Sequence, residues 1–154
     1  MITIYYFDAS VIAKLFLEEP GSEEARKIFN NASVRKTTSL CFSESLAVLK
    51  CKLFKKKKIN EYLNATLDLI SIKNDSNLEI EEQSIFNREM FDKAQSIIEE
   101  NKKVDLADIF QILSIEESIY THHGIPCILV TADGPLHELA IKRGVKSILI
   151  QDKP

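Results

Sequence analysis

The sequence predicts an α/β fold with a central, mainly parallel β-sheet and helices between the strands. Short runs of β-branched, aromatic and other apolar residues, such as Ile2–Phe7 and Cys127–Val130, alternate with longer segments whose apolar residues recur at helical spacing. The second run is continuously apolar, as expected for a strand that is buried on both faces of a parallel sheet. A chain of 154 residues, 45% of them hydrophobic, can bury one core, so residues 1–154 are predicted to form a single domain.

The amino-terminal third is predicted to contain two strands and two helices. Ile2–Phe7 forms the first strand, and the apolar pattern from Val11 to Phe16 indicates a helix that stops at Pro20–Gly21. Ser22 is predicted to cap a second helix. Val34–Thr38 then has the composition of the second strand.

The middle of the chain is predicted to be a helical hairpin. Apolar residues recur at helical spacing over Phe42–Phe54 and again over Ile59–Ile72. The lysine run Lys55–Lys58 is placed at the turn between these helices. Leu78–Ile80 is predicted to be a short strand.

The carboxyl-terminal half continues the alternation of helices and strands. Helical patterns span Ile85–Ile98 and Leu106–Ile119, and after the strand at Cys127 a further helix covers Leu136–Arg143. Gly144 is predicted to end that helix, and Val145–Ile150 to form the last strand.

Composition argues against several classes of protein. No stretch approaches the ~20 apolar residues needed to cross a bilayer, and Met1–Phe7 lacks a basic flank and a cleavage site, so we expect a soluble cytoplasmic protein with no membrane segment. Cys41, Cys51 and Cys127 lack the paired spacing of a zinc site and are predicted to be buried thiols. The formal net charge of −3 argues against indiscriminate coating of nucleic acid, although a local basic patch can still bind RNA.

Acidic residues stand where the predicted strands end. Asp8 follows the first strand and Asp133 follows a later one, and in open α/β sheets ligands bind outside these strand ends. Glu44 is predicted in the first turn of a helix that follows a strand, and Asp108 opens an apolar helix. We therefore expect four carboxylates to converge on one edge of the sheet.

Each acid also has a simpler structural explanation. Asp8 and Asp133 each precede a helix that they can cap, and Glu44 would interact favourably with a helix dipole. Asp105 and Asp108 lie one turn apart and can share a helix face. Alternatively, Asp105 simply caps that helix while Asp108 faces the sheet edge. We favour Asp108 as a metal ligand and keep Asp105 as an alternative.

Crowded carboxylates indicate a cation. They repel one another and take up protons unless a bound ion neutralises them. Oxygen ligands alone suit Mg²⁺ or Mn²⁺ better than zinc. The sequence therefore predicts a Mg²⁺ or Mn²⁺ site at the sheet edge.

The candidate acids lie in four segments: Tyr6–Leu15, Ser43–Leu46, Leu106–Phe110 and Val130–Leu136. In their order and approximate spacing these segments resemble the motifs of PIN-domain ribonucleases, especially the VapC-like toxins of toxin–antitoxin pairs. Each is weak alone, because apolar strands that end in Asp are common. Together they span almost the whole chain and make a specific joint signal.

The resemblance implies a three-layer α/β/α fold with a helical hairpin insertion, and metal-dependent endoribonuclease activity by in-line hydrolysis of RNA phosphodiester bonds. It implies that Asp8, Asp108 and Asp133 contact the metal directly or through water, with Glu44 as a further ligand or an orienter of the attacking water. It also implies an RNA substrate, an antitoxin protein as partner and a homodimer. The chain departs from many relatives near the third motif, which leaves the RNA target open.

Several polar residues near these motifs have two explanations. Ser10 and Thr131 match family positions that carry small hydroxyl residues; each could bind a carboxylate or phosphate, or satisfy local backbone. The lysines at positions 50, 52 and 55–58 could guide RNA, but a lysine-rich helix end is more often simply solvated. His122, His123 and His137 are expected to be surface residues.

Three other functions remain as alternatives. A catalytically silent PIN fold could bind RNA or protein, but intact acids in all four motifs argue against it. A stand-alone RNA-processing nuclease would use the same site without an antitoxin. An aspartyl-phosphate enzyme with Asp8 as nucleophile would be expected to carry Asp-x-Asp, whereas this chain has Asp8-Ala9-Ser10.

Overall fold

The computed structural model describes residues 2–75, 77–82 and 87–151, and its centre is a five-stranded sheet. The strands are β1 (Ile4–Phe7), β2 (Val34–Thr38), β3 (Glu79–Glu81), β4 (Cys127–Thr131) and β5 (Lys146–Leu149). They are arranged in the order β3-β2-β1-β4-β5, and each of the four pairings is parallel. The predicted parallel sheet is confirmed.

Helices make every connection between these strands. In chain order they are α1 (Ala9–Lys14), α2 (Ser22–Asn31), α3 (Ser39–Lys55), α4 (Ile59–Asn74), α5 (Arg88–Glu100), α6 (Leu106–Glu116), α7 (Ile119–His122) and α8 (Gly134–Lys142). Parallel neighbours require such crossovers, because a tight turn can join only antiparallel strands. The predicted hairpin α3–α4 is the crossover from β2 to β3.

The helices cover both faces of the sheet, which gives the expected three layers. Successive side chains of a strand point to opposite faces. Ile4 and Tyr6 accordingly pack with α5, α6 and α8, whereas Phe7 packs with α1, α2 and α3. The neighbouring strand β4 does the same through Leu129 and Val130.

The strand order reverses beside β1, and this reversal creates a crevice. The chain passes from β1 to β2 on one side, then returns to place β4 on the other side of β1. The helices that follow these strands diverge, so a crevice opens at the carboxyl ends of β1 and β4. Near these strand ends Gln111 connects β1 and β2: its side chain donates to Phe7 O (3.1 Å) and accepts from Thr38 N (3.2 Å).

Most elements agree with their predicted bounds, with a few differences. Gly21, with φ of 82°, caps α2, and Ser22 is its first residue instead of its cap. The helical pattern that was predicted to run to Ile119 breaks after Glu116 into α6 and α7. The short strand lies one residue later than expected, and Ile85 lies outside the described residues.

The outer surface of the hairpin is partly apolar. Ile59, Leu63 and Leu67 recur at four-residue spacing on α4, and each is more than half exposed.

None of the helices within the described ranges is long and apolar enough to span a membrane. Cys41 and Cys127 are buried as predicted, whereas Cys51 is exposed because it lies on the outer face of α3.

Candidate functional site

Asp8 lies at the floor of the crevice, directly after β1, and its side chain is buried. It caps α1 by accepting a hydrogen bond from Ser10 N (3.3 Å). The same oxygen, Oδ2, accepts hydrogen bonds from the hydroxyls of Ser10 and Thr131. Burial raises the pKa of Asp8, and these hydrogen bonds partly oppose that effect.

The two hydroxyls link Asp8 to the end of β4. Ser10 Oγ accepts from Ala132 N (3.0 Å), and Thr131 Oγ1 accepts from Asp133 N (3.0 Å), while each donates to Asp8. Each hydroxyl therefore has both kinds of partner considered from the sequence: it donates to a carboxylate and accepts from a backbone amide. The orientation of Asp8 is fixed by this arrangement.

Asp133 lies at the equivalent position after β4 and is half-buried. It caps α8, since its Oδ1 accepts from Leu136 N (2.8 Å). One carboxylate oxygen is used by the cap. Capping and a location at the crevice thus occur in the same residue, as they do for Asp8.

Asp105 and Asp108 form a reciprocal capping box at the start of α6. Asp105 Oδ1 accepts from Asp108 N (3.1 Å), and Asp108 Oδ2 accepts from Asp105 N (3.2 Å). Asp108 is only 9% exposed, whereas Asp105 is exposed. The box holds two carboxylates next to each other at the mouth of the crevice.

Glu44 completes the group from the opposite wall. It is the sixth residue of α3, so its predicted place in a first turn is wrong; the helix begins earlier, at Ser39, because Thr38 caps it through Cys41 N (3.2 Å). Carboxylate oxygens of Glu44, Asp105 and Asp108 lie within 4.8 Å of one another.

The acids raise one another's pKa values. Burial, followed by the charges of Asp105, Asp8 and Asp133, raises the pKa of Glu44 to about 7. Burial and the charges of Asp8 and Asp105 raise the pKa of Asp108 to about 8. Near neutral pH, proton uptake therefore relieves part of the repulsion in the cluster.

The donor set fits a hard divalent cation. Asp8, Glu44, Asp105, Asp108 and Asp133 all line one open cavity of about 270 Å³. Glu44 Oε2 is buried, and no donor among the described residues lies within hydrogen-bonding distance of it. A bound cation would satisfy this oxygen and remove the repulsion, which is the expected behaviour of oxygen ligands for Mg²⁺ or Mn²⁺. The structure thus gives Asp105 a larger place in the cluster than the sequence suggested.

Sequence reasoning gave no place in the cavity to Lys14 or Val48, which both line it. Lys14 is 6% exposed, and the available signal was its spacing of four residues from Ser10, which places both on one helix face. The three histidines do not line this cavity; His137 Nδ1 instead lies 2.9 Å from Ser147 Oγ.

Comparison with protein families gives a match to the PIN domain over residues 5–142. The chain belongs to the PIN-domain family. A comparison with curated protein sequences finds no match.

Solved structures share this PIN fold at low sequence identity. One is VapC20 of Mycobacterium tuberculosis, described as a toxin that cleaves the sarcin–ricin loop; it has a TM-score of 0.62 and 12% identity, over 88% of this chain and 94% of VapC20. Another is PAE2754 of Pyrobaculum aerophilum, with a TM-score of 0.59 and 19% identity, over 94% of this chain and 83% of PAE2754. At these identities the likeness shows a common fold.

Proposed function

We propose that this PIN domain is a Mg²⁺- or Mn²⁺-dependent endoribonuclease. The observation that carries the proposal is the cluster of carboxylates with raised pKa values, in which the buried Oε2 of Glu44 has no hydrogen-bond partner among the described residues. Repulsion within such a cluster destabilises the metal-free protein, and a bound divalent cation would remove that repulsion. Clusters of this kind are therefore typical of functional sites.

The carboxylates are proposed to bind the cation and to orient the attacking water. Asp8, Glu44, Asp108 and Asp133 would hold the cation, and Asp105 is a further candidate ligand because one of its carboxylate oxygens lies within 4.8 Å of an oxygen of Glu44 and of Asp108. When bound, the metal would supply charge neutralisation for the phosphate and a water of lowered pKa. Glu44 would either bind the cation as a further ligand or orient the attacking water, since its buried Oε2 has no hydrogen-bond donor within reach among the described residues.

The hydroxyls of Ser10 and Thr131 act on the substrate indirectly. Their hydrogen bonds to Asp8 keep that carboxylate aimed into the cavity. Groups that orient metal ligands in this way commonly change metal affinity or activity by ~10–100-fold when removed. We therefore assign them a positioning role.

RNA is the proposed substrate, and the toxin of a toxin–antitoxin pair is the proposed biological role. VapC20, which shares the fold, is described as a toxin that cleaves the sarcin–ricin loop. A stand-alone RNA-processing nuclease is the alternative that uses the same site. A fold does not fix biology, so the presence of an adjacent gene for a small DNA-binding antitoxin would distinguish the two.

The test is cleavage of structured and single-stranded RNA by purified protein with Mg²⁺, with Mn²⁺ and with a chelator. Asp8→Asn and Asp108→Asn are the site variants, and Asp92→Asn, an exposed acid on α5, is the matched control. We expect metal-dependent cleavage by the parent and the control and loss of at least ~100-fold in both site variants. Equal cleavage by all four proteins would show a contaminant and refute the assignment, and a folded parent that cleaves no RNA would favour the binding module.

The homodimer, the antitoxin partner and the cytoplasmic location stay predictions. Light scattering of the purified chain will determine its oligomeric state. Co-expression with the product of an adjacent gene will test for a stable complex.

A further inference from the structure

A second charged cluster, formed by Lys14, Glu19 and Lys52, lies at the rim of the acidic cavity. Lys14 Nζ donates to Glu19 Oε1 (3.1 Å) and to Pro20 O (2.8 Å). Lys52 Nζ donates to both oxygens of Glu19, at 2.7 and 2.8 Å. One carboxylate is thus shared by two ammonium groups.

The α3 helix connects this cluster to the acids. Glu44, Val48 and Lys52 follow one another at four-residue intervals and all line the cavity. Residues at this spacing lie on one face of a helix. Eight residues correspond to a rise of about 12 Å, so Lys52 follows Glu44 by about two helical turns along the wall of the cavity.

The side chains of Lys14 and Lys52 differ in how freely they can move. The Lys14 side chain is 7% exposed and donates to the Pro20 carbonyl, whereas the Lys52 side chain is 43% exposed. Lysine is a flexible point charge with rotatable donors, well suited to exchange one oxyanion for another. The Glu19 carboxylate therefore occupies the position that a phosphate oxygen would take if it accepted hydrogen bonds from Lys52 Nζ.

We propose that the Lys14–Glu19–Lys52 cluster is a binding subsite for an RNA phosphate that flanks the cleaved bond, with Lys52 turning from Glu19 to that phosphate. This subsite deepens the proposed function and rests on it. Its physical reason is electrostatic: a cavity lined by five acids repels RNA, and a cation at the rim compensates for this on the path of the strand. The remaining exposed lysines of α3 do not line the cavity.

The test measures RNA binding separately from cleavage. The Asp108→Asn protein in Mg²⁺ is the parent, and the probe is a fluorescein-labelled single-stranded RNA of mixed sequence whose anisotropy is followed at several salt concentrations. Lys52→Gln, Lys52→Arg and Lys50→Gln are introduced separately. Lys50→Gln is the matched control, because Lys50 lies on the same helix and loses the same charge outside the cavity.

We expect Lys52→Gln to raise the Kd about 10-fold, and to reduce the slope of log K against log salt by about 0.7, as for one lost contact with a single-stranded phosphate. Lys52→Arg should restore most of the affinity, and Lys50→Gln should change it less than ~2-fold. In the catalytically intact chain, Lys52→Gln should raise KM and leave kcat within ~2-fold.

Two results would overturn the subsite: binding by Lys52→Gln as tight as that of its parent, or an equal loss in Lys50→Gln, which would indicate a general charge effect. Failure of the proposed function would give a different result: RNA binding would still depend on Lys52, but the catalytically intact chain would cleave no RNA. No measurable RNA binding by the parent at low salt would count against both.

Discussion

Replacing Asp108 with Asn should stabilise the metal-free protein at pH 8. The carboxyl of Asp108 has a pKa of about 8 in the folded chain, raised by burial and by the charges of Asp8 and Asp105. An amide removes the charge and keeps the shape, and its oxygen can still accept the hydrogen bond from Asp105 N that completes the capping box. The substitution therefore removes repulsion without removing the cap.

The sign and size follow from linkage. A carboxyl whose pKa is raised on folding contributes stability below its unfolded pKa, and that contribution is lost as the pH rises toward and through its folded pKa. A rise from 3.8 to about 8 corresponds to at most ~6 kcal/mol, at 1.36 kcal/mol per pKa unit. Because the cavity is open to water and counter-ions, we expect about 2 kcal/mol between pH 5 and pH 8.

The assay is thermal unfolding of parent and Asp108→Asn in a chelator, at several pH values from 5 to 8. For a chain of this size, 2 kcal/mol corresponds to a rise in Tm of about 4–8 °C at pH 8, with a smaller rise at pH 5. Asp92→Asn on α5, whose side chain is 65% exposed, should change stability by less than ~0.5 kcal/mol. A Tm for Asp108→Asn that is unchanged or lower at pH 8 would refute the argument from repulsion.

Three further predictions follow from the same geometry. Binding of Mn²⁺ at pH 7 should release ~1–2 protons, with less release at pH 9, as calorimetry in buffers of different ionisation enthalpy will measure; equal release at both pH values would contradict the raised pKa values. Thr131→Val should lower kcat ~10–100-fold with little change in KM, because Asp8 loses a hydrogen bond of 3.0 Å, and unchanged kcat would exclude the positioning role. Gln111→Leu should cost ~1–3 kcal/mol in urea unfolding, since it leaves Thr38 N without its buried acceptor while Phe7 O keeps the hydrogen bond from the Thr37 hydroxyl (2.8 Å), and a loss below ~0.5 kcal/mol would show that another group replaces the amide.

The sequence predicted the sheet and its acidic edge because both depend on local pattern and general topology. The apolar run of β4 is of the kind expected for a buried parallel strand, and Asp8 and Asp133 follow strands whose parallel arrangement brings their carboxyl ends to the same edge. The hairpin α3–α4 followed in the same way from apolar spacing on either side of the lysine run. These features require no knowledge of distant contacts.

The remaining features depend on contacts between distant segments. The start of α3 at Ser39 has no apolar signal; it depends on the cap from Thr38, and this cap places Glu44 one turn deeper than expected. The burial of Lys14 depends on Glu19 and Pro20, which a turn brings back to the helix. Spacing along the chain does not reveal such partners.

The most direct test of the account is a Mn²⁺ titration in which metal occupancy and the rate of RNA cleavage are measured on the same protein. We predict that cleavage is absent in a chelator and rises in proportion to occupancy, and that Asp108→Asn loses both. Cleavage that persists in the chelator, or full Mn²⁺ occupancy of Asp108→Asn with an unchanged rate, would contradict the assignment of this carboxylate cluster as the metal centre of a ribonuclease.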